Sequence, residues 1–189
     1  VGAGGLGSAA GLYLGSAVVS RLTVVDHDTV DATNLQRQVA HTLARVGTPK
    51  AESLQAAIAA INPDVQVLPV TQRADDALLA CLVAQADVVL DCTDNFATRH
   101  AINRACVAAK VPLVSGAAIR LDGQLSVYDP RDAASPCYAC VFPEAEAPEE
   151  TRCATMGVFA PLVGIIGTMQ AAEALKIASG MGSHLAGRL

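Results

Sequence analysis

Apolar residues follow two patterns along this chain, and the two patterns alternate. Short apolar runs bounded by polar or turn residues predict buried strands, and apolar residues spaced three or four positions apart predict helices. The predicted strands are Arg21–Asp26, Val65–Val70, Asp87–Asp91, Pro112–Ala117 and Gln124–Tyr128, the last two joined by a turn at Asp122-Gly123. The predicted helices are Gly7–Ser16, Lys50–Ile61, Ala74–Ala86, Thr98–Lys110 and a buried helix over Val158–Thr168.

Strands that alternate with helices predict an α/β fold, here a Rossmann-like, doubly wound, mainly parallel sheet with helices on both faces. We expect residues 1–189 to form a single domain. Residues 130–155 interrupt the alternation with a cluster of cysteines and the acidic segment Glu144–Glu150, which predicts a long crossover on the surface. We expect both ends to be truncated, because Val1 directly precedes a glycine-rich turn whereas a strand needs about five residues.

The composition narrows the class of protein. Hydrophobic residues make up 52% of the chain, yet it contains only three Phe, three Tyr and no Trp. A core of small and aliphatic side chains is typical of a parallel sheet covered by helices. The net charge of −5 gives no electrostatic reason to expect a nucleic-acid or membrane partner. The most continuous apolar stretch, residues 158–168, is too short to span a bilayer.

A glycine-rich segment, Val1-Gly2-Ala3-Gly4-Gly5-Leu6-Gly7, precedes the first predicted helix. In a G-x-G-x-x-G turn between a strand and a helix, the backbone approaches a phosphate that the helix N-terminus binds. An acidic residue about 20 positions later binds ribose hydroxyls, and Asp26 lies at that distance. The pair predicts a nucleotide site. The alternative is a glycine turn that serves only close packing of the helix on a strand.

Charged residues near this turn indicate which nucleotide it binds. The carboxyl ends of parallel strands meet at one edge of the sheet, so Asp26 and Asp94 are expected there, with Arg37 and Lys50 within reach. A helix N-terminus offers about half a positive charge, against roughly four negative charges on a triphosphate. The two cations and a magnesium ion held by Asp94 would supply the missing charge. A nicotinamide dinucleotide would not need them. Taken singly, Arg37 and Lys50 are more typical of a solvated surface loop, but together with the glycine turn, Asp26 and Asp94 they indicate a binding site.

Several motifs occur in one order, namely GAGGLG, VVDHDTV, NLQRQ, VGTPKAES, DCTDNFATR, VSGAA, CYAC and RCATMGVFAPLVGIIGTMQAAEALK. Over essentially its whole length the sequence resembles the ubiquitin-activating-enzyme-like adenylyltransferases of the ThiF/MoeB/HesA family. The resemblance implies ATP-dependent adenylation of the C-terminal glycine carboxylate of a ubiquitin-like sulfur-carrier protein. The acyl-adenylate would accept sulfur in a later step, for molybdopterin or thiamine synthesis.

The resemblance also assigns roles to residues. Gly4, Gly5 and Gly7 would approach the phosphates, Asp26 with Asp28 beside it would bind the ribose, Asn34, Arg37 and Lys50 would bind and neutralise the triphosphate, and Asp94 with Asn95 beside it would hold Mg²⁺. We assign no general base, because the attacking carboxylate is already ionised at pH 7. His27 is expected to be an exposed loop residue.

The motif Cys137-Tyr138-Ala139-Cys140 supplies half of a tetrahedral Zn²⁺ site. The resemblance implies a second such pair near the C-terminus, beyond the end of this sequence, and hence a structural zinc ion in the full-length protein. A redox dithiol and a chance spacing are the alternatives. Cys81, Cys92 and Cys106 occupy positions where cysteine is usually a small buried hydrophobic residue.

Cys153 lies in the predicted crossover beside Arg152. A neighbouring guanidinium favours the thiolate, and the position matches one where some relatives form a covalent link to the carrier protein. We therefore include Cys153, with Arg37, Lys50 and Asp94, among the candidate catalytic residues.

The resemblance implies a homodimer, in which an arginine from an N-terminal segment absent here reaches the partner's ATP. Six cysteines without a disulfide-like pattern, together with ATP chemistry, favour the cytoplasm.

Two other functions are compatible with parts of the sequence. An inactive scaffold subunit would share the fold, but such subunits usually lose the arginine, lysine and aspartate that this chain retains. An NAD-dependent oxidoreductase domain would share the glycine turn and Asp26 but would leave Arg37, Lys50 and Asp94 without a role. The sequence does not decide between the molybdopterin and thiamine carriers, and the stretch 115–120 favours the molybdopterin branch slightly.

Overall fold

The computed structural model describes residues 1–17, 19–144 and 157–189. The strands are β1 (Arg21–Val25), β2 (Gln66–Val70), β3 (Val89–Asp91), β4 (Leu113–Ile119) and β5 (Asp122–Tyr128). The helices are α1 (Gly5–Ser16), α2 (Lys50–Ala59), α3 (Asp76–Val83), α4 (Phe96–Ala109), α5 (Tyr138–Val141) and α6 (Ala160–Ser179), with short 3-10 helices at Ala32–Asn34 and Leu43–Arg45.

The first two residues join two groups of strands. β1 pairs in parallel with β2, β3 pairs in parallel with β4, and β5 lies antiparallel to β4 at the edge. The Val1 amine donates to the Leu90 carbonyl oxygen at 2.8 Å, and Cys92 N–H donates to the Val1 carbonyl oxygen at 2.9 Å. Gly2 N–H donates to the Val25 carbonyl oxygen at 2.8 Å. The glycine turn therefore starts between β1 and β3, whose carboxyl ends face the same edge.

Helices cover both faces of the strands. Neighbouring residues of a strand point to opposite faces, and Leu113 and Val114 of β4 pack on different helices. Leu113 belongs to the cluster that contains Ile102 of α4, and Val114 belongs to the cluster that contains Ala171 of α6. α1 lies against both α2 and α6. The predicted doubly wound, mainly parallel α/β architecture is confirmed.

The hairpin between β4 and β5 turns earlier than the sequence predicted. Arg120 and Leu121 form the turn, with Arg120 in the left-handed region at a φ of 51°, whereas Asp122 and Gly123 already belong to β5. The prediction was wrong because Asp-Gly is a common turn pair. Here a bare glycine is required inside the strand, since a Cβ on Gly123 would lie 2.8 Å from a methyl group of Ile166.

The boundaries of α3 and α6 differ most from the expected ones. α3 begins at Asp76, because the Asp75 carboxylate accepts a hydrogen bond from Leu78 N–H and caps the helix. α6 continues to Ser179, past the apolar stretch that predicted it, and Gly180 ends it in the left-handed region. Pro161 lies in its first turn, where the missing N–H costs nothing. No helix in the described ranges is long and apolar enough to cross a membrane.

Candidate active site

A cavity of about 980 Å³ opens at the carboxyl ends of β1 and β3. This is the edge where open α/β sheets bind their ligands, and the volume lies near the upper end of the range for small-molecule sites, about 300–1,000 Å³. The predicted residues that line the cavity are Gly4, Gly5, Asp26, Asp28, Arg37, Lys50, Asp94 and Asn95. Gly7 and Asn34, which were also predicted, do not line the cavity. Gly7 allows the glycine turn to pack closely, and Asn34 bonds to the guanidinium of Arg37.

The glycine turn presents the N-terminus of α1 to the cavity. The helix begins at Gly5, and no side chain caps it. Its first-turn N–H groups lack partners within the helix and are available to an anion. A Cβ on Gly7 would lie 1.9 Å from the Gly2 carbonyl oxygen. The structure therefore assigns Gly7 to the close packing of the turn, and Gly4 and Gly5 to the cavity wall.

Asp26 holds the glycine turn against the end of β1. One carboxylate oxygen accepts a hydrogen bond from Ala3 N–H at 2.7 Å, and the other accepts one from Asp28 N–H at 2.8 Å. Each oxygen can accept a further hydrogen bond. The side chain thus has capacity for the predicted ribose contact while it stabilises the turn.

Lys50 is buried and already paired. Its Nζ lies 2.9 Å from Asp28 Oδ2, and its side chain is 8% exposed, against 58% for Asp28. Burial by itself would raise the pKa of Asp28, but the hydrogen bond and charge of Lys50, together with the charge of His27, lower it below its usual value. Asp28 therefore holds the lysine at the cavity. His27 is exposed, as predicted.

Arg37 is oriented by Asn34. One guanidinium N–H₂ group donates to Asn34 Oδ1 at 2.6 Å. In the described ranges this is the only hydrogen bond to the Arg37 side chain, so its other N–H groups remain available to ligand oxygens. The structure thus brings Arg37 to the cavity and places Asn34 behind it as the residue that orients the guanidinium.

Asp94 is an exposed carboxylate that lines the cavity. Within the part of the chain that the structure describes, it has no hydrogen bond or ion pair. Carboxylate oxygens without a protein partner are the kind of ligand that Mg²⁺ prefers. Neighbouring Asn95 is engaged differently, because its Oδ1 caps α4 by accepting from Thr98 N–H at 2.8 Å.

Sequence reasoning missed His41, which fixes the back of the glycine turn. Its buried ring places Nε2 2.8 Å from the Ala3 carbonyl oxygen and Nδ1 2.9 Å from Ser53 Oγ. A carbonyl oxygen only accepts, so we assign the proton to Nε2 and let Nδ1 accept from the Ser53 hydroxyl. Burial, aided by the charges of Lys50 and Arg45, lowers the pKa of His41. No sequence motif marks this residue.

The cysteine pair at the start of α5 brings its two sulfur atoms close together. Cys137 Sγ lies 3.5 Å from Cys140 Sγ. Two sulfurs of a tetrahedral site with Zn–S bonds of about 2.3 Å are about 3.8 Å apart. Burial raises the pKa of Cys137, but hydrogen bonds from Asn103 and from backbone N–H groups outweigh burial and lower it. Among the described residues, no third His, Cys, Asp or Glu ligand atom joins the pair.

The remaining cysteines differ in environment. Cys106 is buried, and burial raises its pKa to about 12. Cys92 is partly buried, and its pKa is raised to about 11, again mainly by burial. Cys81 is exposed, so the expectation of a buried thiol there was wrong; it lies on the solvent side of α3. Cys153 lies outside the described residues.

A family model described as the ThiF family matches residues 1–189, the whole chain. The chain belongs to the ThiF family. The molybdopterin-synthase adenylyltransferase of Escherichia coli is 50% identical to this ThiF-family chain over 189 residues, which cover all of the chain and 75% of the relative. The sulfur carrier protein ThiS adenylyltransferase of the same organism is 45% identical over 96% of the chain and 71% of its own length. The SAMP-activating enzyme E1 of Haloferax volcanii is 47% identical over 100% of the chain and 69% of its own length.

Solved structures agree with the fold of this ThiF-family chain. The crystal structure of E. coli MccB with ATP superposes with a TM-score of 0.79 and covers 100% of the chain at 22% sequence identity. The chain spans only 57% of that MccB chain. At this identity the likeness supports the fold and not the activity.

Proposed function

We propose that the protein adenylates the C-terminal glycine carboxylate of a ubiquitin-like sulfur-carrier protein, using ATP. The observation that carries this proposal is the meeting of Arg37, Lys50 and Asp94 in one cavity with the uncapped N-terminus of α1. Curated relatives at 45–50% identity are named adenylyltransferases for molybdopterin synthase and for the sulfur carrier ThiS. This set of groups neutralises a triphosphate, as adenylation requires.

The reaction joins two anions, so its main demands are positioning and neutralisation of charge. A carboxylate oxygen of the carrier forms a bond to the α-phosphorus of ATP as the bond from that phosphorus to pyrophosphate breaks. Arg37 and Lys50 stabilise the negative charge that moves onto pyrophosphate, and the N–H groups of Gly5 and its neighbours bind phosphate oxygens. Asp26 orients the ribose. No side chain must remove a proton.

Asp94 fits the role of magnesium ligand, because its carboxylate is exposed at the cavity and unpaired within the described ranges. When bound, the ion would add positive charge at the phosphates. Asp94 is the residue of this chain that would hold the ion, and Asn95 beside it fixes the start of α4, because its Oδ1 accepts from Thr98 N–H.

Pyrophosphate exchange tests the proposal. The full-length protein is incubated with ATP, Mg²⁺, labelled pyrophosphate and one Gly-Gly-ending carrier at a time, either the molybdopterin-synthase subunit or the thiamine carrier. We expect exchange that depends on a carrier and falls by about 10³-fold in Asp94→Ala. The carrier that supports exchange identifies the pathway, and we favour the molybdopterin carrier. Measurable ATP binding without exchange from any carrier would contradict the proposal and favour a scaffold subunit.

We also propose that Cys137 and Cys140 provide two ligands of a structural zinc ion. Cys137→Ser and Cys140→Ser are expected to remove about one equivalent of zinc per full-length subunit and to lower its thermal stability. Zinc content by elemental analysis is the measurement. Cys81→Ser is the matched control, since Cys81 is exposed on α3 and should leave zinc content unchanged. If the zinc content is unchanged in both Cys137→Ser and Cys140→Ser, a redox dithiol is the better interpretation of this cysteine pair.

We also propose that the protein is a homodimer and is located in the cytoplasm. Exposed apolar side chains lie at the start and along one side of α6, namely Phe159, Ile165 and Met169. Leu121 is also exposed and lies close to Phe159, because Phe159 N–H donates to the carbonyl oxygen of Arg120, the residue before Leu121. Such a patch supports the proposed homodimer. The cysteines that the structure describes are all free thiols, which supports a reducing, cytoplasmic location.

A further inference from the structure

A buried carboxylate that the proposed chemistry does not use lies at the base of the loop that carries Asp94. Asp91 ends β3 and is fully buried. Its Oδ1 accepts from Thr93 N–H at 3.0 Å and from the Thr93 hydroxyl at 2.6 Å. Its Oδ2 accepts from the Ser115 hydroxyl at 3.1 Å and from Arg99 at 3.2 Å. All four acceptor positions of the carboxylate are thus occupied.

Arg99 completes the support from the first turn of α4. Its Nη1 contacts Asp91 and Ser115, and its Nη2 donates to the Thr93 carbonyl oxygen. The N–H, the hydroxyl and the carbonyl of Thr93 are therefore all bonded to Asp91 or Arg99. Thr93 directly precedes Asp94, whose own side chain is exposed. The buried pair of Asp91 and Arg99 therefore fixes the backbone of the residue next to Asp94.

Charge argues against a direct role for Arg99 in binding phosphates. Arg99 lines the cavity, but its side chain is only 9% exposed, and its guanidinium faces the carboxylate of Asp91, whose side chain is 1% exposed. The two charges largely cancel, whereas Arg37 is paired with no carboxylate in the described ranges. A buried ion pair is also weak evidence for stability, because apolar replacements are often neutral. What this pair adds is the fixed geometry of residues 93 and 94.

We propose that Arg99, acting through Asp91 and Thr93, is a positioning residue that aims the Asp94 carboxylate at the metal–phosphate site. This inference rests on the proposed function. It predicts a specific defect in a protein that lacks Arg99. The affinity for ATP measured without Mg²⁺ stays the same. The increase in ATP affinity on adding Mg²⁺ is lost, and pyrophosphate exchange is lost with it.

The test compares Arg99→Met, Asp94→Ala and the double variant with the wild-type full-length protein. ATP affinity is measured by calorimetry with and without Mg²⁺, and pyrophosphate exchange is measured as a function of Mg²⁺ concentration. In Arg99→Met we expect the half-saturating Mg²⁺ concentration to rise roughly tenfold and exchange to fall about 10²-fold. The double variant should lose no more than Asp94→Ala alone, because the two residues act on one step.

Arg104→Met is the matched control. It removes an arginine from the same helix, but Arg104 is 51% exposed and pairs with Asp76 and Glu144 on the surface. We expect its exchange rate and Mg²⁺ dependence to equal those of the wild type. If Arg99→Met does not fold, Thr93→Val is the replacement test. This substitution removes only the 2.6 Å hydrogen bond from the Thr93 hydroxyl to Asp91, and we expect it to raise the half-saturating Mg²⁺ concentration about threefold.

The outcomes separate this inference from the proposed function. A wild-type protein without exchange would refute the function. An active wild type with unchanged Mg²⁺ dependence in the folded Arg99 or Thr93 variant would refute the positioning role alone. Additive losses in the double variant would refute it as well, since Arg99 would then act on a separate step.

Discussion

Replacing Arg37 with alanine is expected to lower carrier-dependent pyrophosphate exchange by about 10³-fold. Arg37 lies in the cavity wall, its guanidinium has one hydrogen bond in the described ranges, and its remaining N–H groups can each bind an oxygen of the departing pyrophosphate. Lys50 can compensate only in part, because one of its three donors is already bonded to the Asp28 carboxylate, which offsets its charge. The measurement is the exchange rate at saturating ATP, with ATP affinity determined separately.

Two variants control for this effect. Arg21→Met removes an exposed arginine at the opposite end of β1, and exchange should be unchanged. Asn34→Ala removes the 2.6 Å bond that orients Arg37, and exchange should fall by about tenfold, with no further loss when it is combined with Arg37→Ala. Exchange within threefold of the wild type in Arg37→Ala would contradict the assignment of the triphosphate to this wall.

Replacing Gly7 with alanine is expected to destabilise the fold strongly, although the substitution adds only one methyl group. The added Cβ would lie 1.9 Å from the Gly2 carbonyl oxygen. Both groups belong to the backbone, so no side chain can rotate away to relieve the overlap. We expect a loss of about 3 kcal/mol in the free energy of unfolding, a fall in Tm of about 6–12 °C and loss of ATP binding, because the turn must open.

Gly164→Ala provides the comparison, measured by thermal and denaturant unfolding at equal protein concentration. Gly164 lies within α6, and an added Cβ there would meet nothing within 4 Å. Alanine also favours a helix over glycine, so this variant should gain about 0.5–1 kcal/mol. If the two variants are equally stable, close packing of Gly7 against Gly2 does not constrain the turn.

The sequence alone was sufficient for features that depend on near neighbours. The alternation of apolar runs with amphipathic segments predicted the order of strands and helices, because burial of one face imposes a short period on the chain. The carboxyl ends of parallel strands meet at one edge of the sheet, and from this rule the sequence alone predicted that Asp26 and Asp94 lie beside the glycine turn. These predictions succeeded because each rests on local spacing or on a general property of α/β sheets.

Only the tertiary structure decided what each site residue contacts. Lys50 is paired with Asp28, 22 positions away, and His41 bonds the carbonyl of Ala3, 38 positions away. Gly7 serves packing and not the cavity wall, since the obstacle is the Gly2 carbonyl folded back against it. The sequence determined which chemical groups the protein has and at which edge of the sheet they gather. The pairing of those groups depended on contacts between distant segments, which form only when helices pack on the sheet and which no local pattern encodes.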